Sequence, residues 1–301
     1  MPQRAVSPAN VDYRDRLLID RYSSVLSRLP LRRQASLASP ASHDATTWNV
    51  FRILAQVDPV RWVPALMRLG KIRALPAPRD LAGGVALTLW KRVPPPAERI
   101  RWLQRQALQG TVRPSVGGMR RGRVVPLSNL RAEMREKALS RLPLEEPVEI
   151  DVIVKCPLSV LFLIVPSPAD SPDHPSRSDA SRTYLLRLVD SGLSYAEARA
   201  RARRLPVSFS LLVLARTPEI EASWGRAVKN LAKSGSQARK LFPHRLKFDP
   251  STLSGNLGVG GWGSLQAMLE DLRRRADNGM EEVLLSRLLA AEGASASAAG
   301  R

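Results

Sequence analysis

The stretch from Val148 to Pro168, VEIDVIVKCPLSVLFLIVPSP, constrains the fold more than any other part of the chain. Val148-Glu149-Ile150-Asp151-Val152-Ile153-Val154 alternates apolar and polar residues at its start, whereas Leu161-Phe162-Leu163-Ile164-Val165 is apolar throughout. Lys155-Cys156-Pro157-Leu158-Ser159 makes a short bend between them. The spacing predicts two adjacent strands, the first half-exposed at its entry and the second buried on both faces. A carboxylate inside such a strand is costly unless a metal ion or a basic group meets it, which singles out Asp151.

Further strands are expected at 85–90, where β-branched and aromatic residues dominate, and at Val207-Ser208-Phe209-Ser210-Leu211-Leu212-Val213-Leu214. The two-sided apolarity of 160–165 and 207–214 demands cover on each side. That gives an α/β domain with a central mixed β-sheet of about four or five strands flanked by helices.

Helical periodicity fills the intervals. A helix over 11–29, carrying Leu17, Leu18, Tyr22, Val25 and Leu26, should end before Pro30, and a Ser/Ala/Pro-rich link follows. Ser42 caps a helix whose Trp48, Phe51 and Leu54 share a face, and another runs over 60–69. The segment 94–126 is rich in Pro, Arg and Gly and reads as a flexible basic loop, followed by a helix over 127–142. A helix over 181–189 should stop at Gly192, and Ser194-Tyr195-Ala196-Glu197 reads as the capping box of a second, arginine-lined helix ended by Pro206. Thr217-Pro218-Glu219 opens a helix to about Lys233. The loop 166–181 gives no sign of holding its acids in place. The expected organisation is an N-terminal helix and linker over 1–40, partly disordered, a single α/β domain over 41–276, and a C-terminal helix with a mobile GASASAAGR tail over 277–301.

Charge is the strongest global signal. Among 301 residues, 47 are Lys or Arg against 27 Asp or Glu, a net charge of +20. Only eight of the 47 are Lys. Base composition can favour Arg over Lys, but it does not thin out the acids. An excess this large suits a polyanion, and guanidinium suits phosphate through its planar paired donors. Nucleic acid is the expected partner, DNA ahead of RNA, through Arg120, Arg121 and Arg123 of the basic loop and Arg199, Arg201, Arg203 and Arg204 of the arginine-lined helix. A solvated basic face is the plainer reading of the same residues. No apolar run approaches a membrane span and the N-terminus lacks an apolar signal core, so no membrane partner and a cytoplasmic location are expected. A homodimer is among the possibilities.

Two residue patterns add a family resemblance. Glu-x-Asp-Val, a bend and a buried strand resemble the middle of the PD-(D/E)XK, or restriction-endonuclease-like, nucleases. His43-Asp44-Ala45-Thr46-Thr47-Trp48-Asn49-Val50-Phe51 is similar to the opening helix of a subset of them, which runs acidic, Asp, apolar, small, Thr-Trp-x-x-Phe. A helix, a strand ending near Ala215-Arg216, another helix, and a Trp-containing turn at Gly261-Trp262-Gly263 follow in the order found there. The resemblance implies that Asp151 is a metal-binding residue, that Asp44 contributes to the same metal site, and that Mg²⁺ is the cofactor if the site is active. Asp44 is equally accounted for by the dipole of its helix N-terminus. His43 stands where that pattern has an acid. The family's Glu-x-Lys falls on Val165 and Ser167, which supply neither a carboxylate nor a cation.

Metal-dependent phosphodiester hydrolysis needs at least two carboxylates for Mg²⁺ and usually a lysine to orient water or meet the transition-state charge. A displaced catalytic set of Glu149, Asp151 and Lys155 would answer this, since strict alternation puts all three on one strand face. Against it, strand residues four apart are ~13 Å apart along the axis. Other chemistries are poorly served. Cys156 is the only cysteine and has no nearby histidine in sequence, and no phosphate-cradling Gly-Lys-Ser/Thr loop occurs. Three classes remain: a nucleic-acid-binding protein on a nuclease-like scaffold with decayed catalytic residues, a working Mg²⁺-dependent DNA endonuclease with displaced ones, and a basic structural or assembly protein without nuclease ancestry.

Overall fold

A computed structural model describes residues 12–39, 42–108, 144–175, 182–233, 238–245 and 248–299. Arg120, Arg121, Arg123 and the expected helix over 127–142 lie outside the described residues. In chain order the helices are α1 (Ser24–Ser27), α2 (Leu31–Ala38), α3 (Asp44–Leu54), α4 (Pro59–Leu69), α5 (Pro78–Ala82), α6 (Ala97–Leu108), α7 (Tyr184–Arg203), α8 (Pro218–Lys233), α9 (Ala238–Leu241), α10 (Trp262–Arg274) and α11 (Gly279–Ala299). The strands are β1 (Ala86–Val93), β2 (Val148–Lys155), β3 (Ser159–Ile164), β4 (Ser208–Ala215) and β5 (Leu257–Gly261). The chain divides into two compact units, residues 1–65 with 265–301 and residues 66–264.

The second unit carries one five-stranded mixed sheet in the order β1-β2-β3-β4-β5, as expected of an α/β domain flanked by helices. β1, β2 and β3 form an antiparallel meander, whereas β4 lies parallel to β3 and β5 parallel to β4. Each parallel step needs a crossover, and α7 and α8 provide them. Their apolar residues, Leu185, Leu188 and Val189 from α7 and Trp224, Val228 and Leu231 from α8, join Val160, Phe162, Ile164, Phe209, Leu211 and Val213 in one core. β3 is buried at every position, which its continuous apolar sequence required.

Three expectations fail in this unit, each for a tertiary reason. Gly192 does not end a helix: α7 runs unbroken from its Thr183 cap to Arg204, whose φ of 56° closes it. The glycine is there because a Cβ would lie 2.0 Å from Cε2 of Phe209, so the β4 ring needs that space. The Ser194–Glu197 sequence therefore sits mid-helix and caps nothing. Ala97–Leu108 of the supposed basic loop is helical, and its Arg99 is buried against Glu145 at 2.9 Å. β5, LGVGG, lacks the β-branched density of a strand, yet it pairs with β4 because its glycines allow the chain to press on the end of α4. A Cβ on Gly258 would meet the carbonyl oxygen of Gly70 at 2.2 Å.

The first unit is helical. The single helix expected over 11–29 is broken at Asp20, whose φ is 55°, leaving a short 3-10 turn at Tyr13–Arg16 and then α1. Asn49 fixes the intervening chain, accepting from Leu18 N at 2.8 Å and donating to Arg16 O at 3.0 Å, and Trp48 Nε1 donates to Ile19 O at 3.0 Å. α2 occupies much of the expected Ser/Ala/Pro link. The C-terminal segment packs on α3 through α11, which continues to Ala299 where a mobile tail was expected. Arg61 holds it by donating to Glu281 at 2.6 Å. Among the described residues no helix is long and apolar enough to cross a membrane.

Candidate functional site

Asp151 sits where the meander is irregular. It faces Trp90 across β1 and β2, and Trp90 has a φ of 50°, a conformation rare for a bulky side chain. The usual alternation of faces breaks here, because Val148, Ile150 and Ile153 all enter the same core. Glu149 pairs in register with Arg92. The same-face argument for Glu149 with Asp151 assumed an unbroken pleat, and the pleat is broken.

The Asp151 carboxylate accepts a hydrogen bond from Val165 N at 2.7 Å, just past the end of β3. Val165 and Ser167 are the two positions that resemble the nuclease Glu-x-Lys. Ser167 instead turns to Asp170, donating through both its backbone N and its Oγ at 2.8 Å. Asp170 is thus held in place, contrary to the expectation for this loop. The signal was an acid three residues after a serine, the reach-back spacing of a capping box. Tyr184, the first residue of α7, packs edge-on against Trp224. Its hydroxyl is pushed well above the usual tyrosine range, first by burial and then by the negative charges of Asp151 and Asp170. Asp151, Asp170 and Tyr184 therefore share one locus beyond the end of β3.

Asp44 belongs to the first unit. Its carboxylate takes Arg33 Nη1 at 2.7 Å on both oxygens and is largely buried, so it is ion-paired within the helical unit. Among the described residues, no group of three or more His, Cys, Asp or Glu is gathered closely enough to hold a metal ion.

Lys155 lies at the other end of the β2–β3 pairing from Asp151: its register partners are Ala86 and Val160, whereas Asp151 reaches the end of β3. The structure places it instead with arginines. A pocket of about 420 Å³ is lined by Lys155, Cys156, Pro157, Arg199, Arg203 and the backbone-rich segment 83–86. Arg199 Nη2 donates to Cys156 O and Arg203 Nη1 to Pro157 O, each at 3.0 Å, so the bend after β2 orients both guanidinium groups. They share a face of α7 because they are four residues apart, whereas Arg201 is half a turn away and does not line the pocket. Arg204 is the left-handed cap of the helix. The Lys155 ammonium is pushed below the usual lysine range by burial, then by the charges of Arg199 and Lys91. Burial likewise raises the Cys156 thiol, which keeps it protonated and inert.

The fold defines a mixed-sheet α/β protein, and the pocket at the end of α7 gathers Lys155, Arg199 and Arg203. Comparison with known protein families, with curated proteins and with solved structures found no match to this chain.

Proposed function

We propose that this chain is a nucleic-acid-binding protein, with DNA as its main ligand, on a PD-(D/E)XK nuclease-like scaffold whose cleavage centre has degenerated. The observation that carries the reading is the convergence of Lys155, Arg199 and Arg203 on one pocket, in a chain of net charge +20. Carbonyl-anchored guanidinium groups lose little freedom when they meet a phosphate, and each offers paired donors matched to its oxygens. The degenerate centre rests on Val165 and Ser167, which stand where a carboxylate and a cation would be needed. The order of helix, three-strand meander, crossover helix and parallel strand supports the scaffold.

A second reading, a working Mg²⁺-dependent endonuclease, draws on Asp151 and Asp170 lying close enough to act jointly on Tyr184. Two carboxylates could hold Mg²⁺ there, but Lys155 is at the other end of the strand pair and does not serve them. The discriminating experiment for the first reading is duplex DNA binding over a salt series, with wild type beside the Arg199→Ala/Arg203→Ala double variant. Each lost phosphate contact flattens the logarithmic salt slope by about 0.9, so the double variant should lose close to two such steps. An unchanged slope and affinity would remove the pocket from the interface.

A further inference from the structure

We infer that the pocket at the end of α7 receives a terminal phosphate of the nucleic acid, a phosphomonoester end, rather than an internal phosphodiester; this deepens the binding reading above and rests on it. Three chain segments wall the pocket: residues 83–86 before and within β1, the bend 155–157, and the last turn of α7. The volume of about 420 Å³ is that of a small-ligand site and is far too small for a duplex.

The electrostatics favour the more highly charged group. Lys155, Arg199 and Arg203 line the cavity, Lys91 is close enough to disfavour charge on Lys155, and no carboxylate is among the described residues that line it. Asp80 on α5 is the acid whose field reaches Cys156. A helix C-terminus disfavours anions, but the three cations gathered beside it outweigh that. The cations also repel one another, and an anion relieves this. A phosphomonoester carries about −1.5 to −2 charges near neutrality against −1 for a diester, and exposes one more oxygen to donors. The buried Nε of Arg199 has no hydrogen-bond partner among the described residues. Gly83 and Gly84 line the same wall without side chains, and nothing lies within 4 Å of where a Cβ of Gly84 would be.

The test uses the full chain and one oligonucleotide sequence carrying a 5′-phosphate, a 3′-phosphate or hydroxyls at both ends, with affinities measured at fixed salt. One phosphorylated form should bind on the order of tenfold tighter than the hydroxyl form, the worth of one additional charge-assisted hydrogen bond. Inorganic phosphate should compete away that advantage. Lys155→Met and Arg203→Ala should abolish the difference between ends, and Lys155→Arg should retain it. Because Arg199 also braces the bend, Lys155→Met is the decisive variant, checked by an unchanged circular dichroism spectrum. Equal binding of all three oligonucleotides overturns the inference and leaves the general binding reading standing. End-selectivity that survives Lys155→Met and Arg203→Ala overturns it as well, by moving the selectivity elsewhere. Failure of every oligonucleotide to bind overturns both.

Discussion

Gly192 in the middle of α7 lies directly under the ring of Phe209 on β4, two residues that the sequence separates by a helix end and a turn. Replacing the glycine with alanine sets two effects against each other. Helix propensity favours alanine by roughly 1 kcal/mol, while overpacking a filled site costs about 1–3 kcal/mol. With atoms of the rigid ring at 2.0 and 2.2 Å from the added methyl, steric cost should win. Urea unfolding of Gly192→Ala should show net destabilisation, and Phe209→Leu in the same background should recover part of it.

Asp190 is the hub of a buried ion network. Arg182 and Arg245 both donate to its carboxylate, His244 Nε2 lies 2.9 Å from Oδ2, and Glu145 links Arg182 to Arg99. Burial alone would raise the Asp190 carboxyl, but the His244 contact and the two guanidinium charges outweigh it and hold it well below the usual range. A carboxyl depressed on folding contributes stability above its unfolded value, near 4, and loses it as pH falls below that point. Wild-type stability should therefore drop on acidification from about pH 5 downward, and Asp190→Asn should show a shallower drop. At neutral pH Asp190→Asn removes the one carboxylate that Arg182 and Arg245 share and should cost about 3–5 kcal/mol in denaturant unfolding.

Cleavage should be at background. A missing preorganised charge costs about 10²–10³-fold in rate, and two positions lack theirs. Plasmid incubated with protein and Mg²⁺ or Mn²⁺ should stay supercoiled, and Asp151→Ala should look the same. Nicking that disappears in Asp151→Ala would revive the endonuclease reading. Asp151→Ala should still lower stability by about 1–3 kcal/mol, because Val165 N loses its acceptor. The pair Val165→Glu with Ser167→Lys tests whether the scaffold still positions Asp151 for chemistry.

Within the arginine-lined helix, effects should follow face rather than charge. Arg201→Ala removes the same charge as Arg203→Ala but from the exposed side away from the pocket. It should change DNA affinity less than either Arg199→Ala or Arg203→Ala, measured by fluorescence anisotropy at a single ionic strength.

What the sequence alone determined is local or summed over the chain. The strands at 148–155, 159–164 and 208–215 follow from short-range apolar patterning, α8 from its Thr-Pro-Glu opening, and the net charge of +20 from a composition that no fold can alter. Tertiary structure decided whatever depends on residues far apart in the chain. Gly192 looked like a stop and is a packing surface, because the deciding neighbour is Phe209. The glycine-rich stretch 257–261 carried no strand signal and forms β5, because the backbone at Gly70 presses on it. Glu149, Asp151 and Lys155 looked like one set under strict alternation. Alternation does not hold through 148–153, and the end of α7 gave Lys155 two arginines in place of the acids. A pattern records which way a side chain points only while the backbone stays regular, and which groups meet beyond it is fixed by packing.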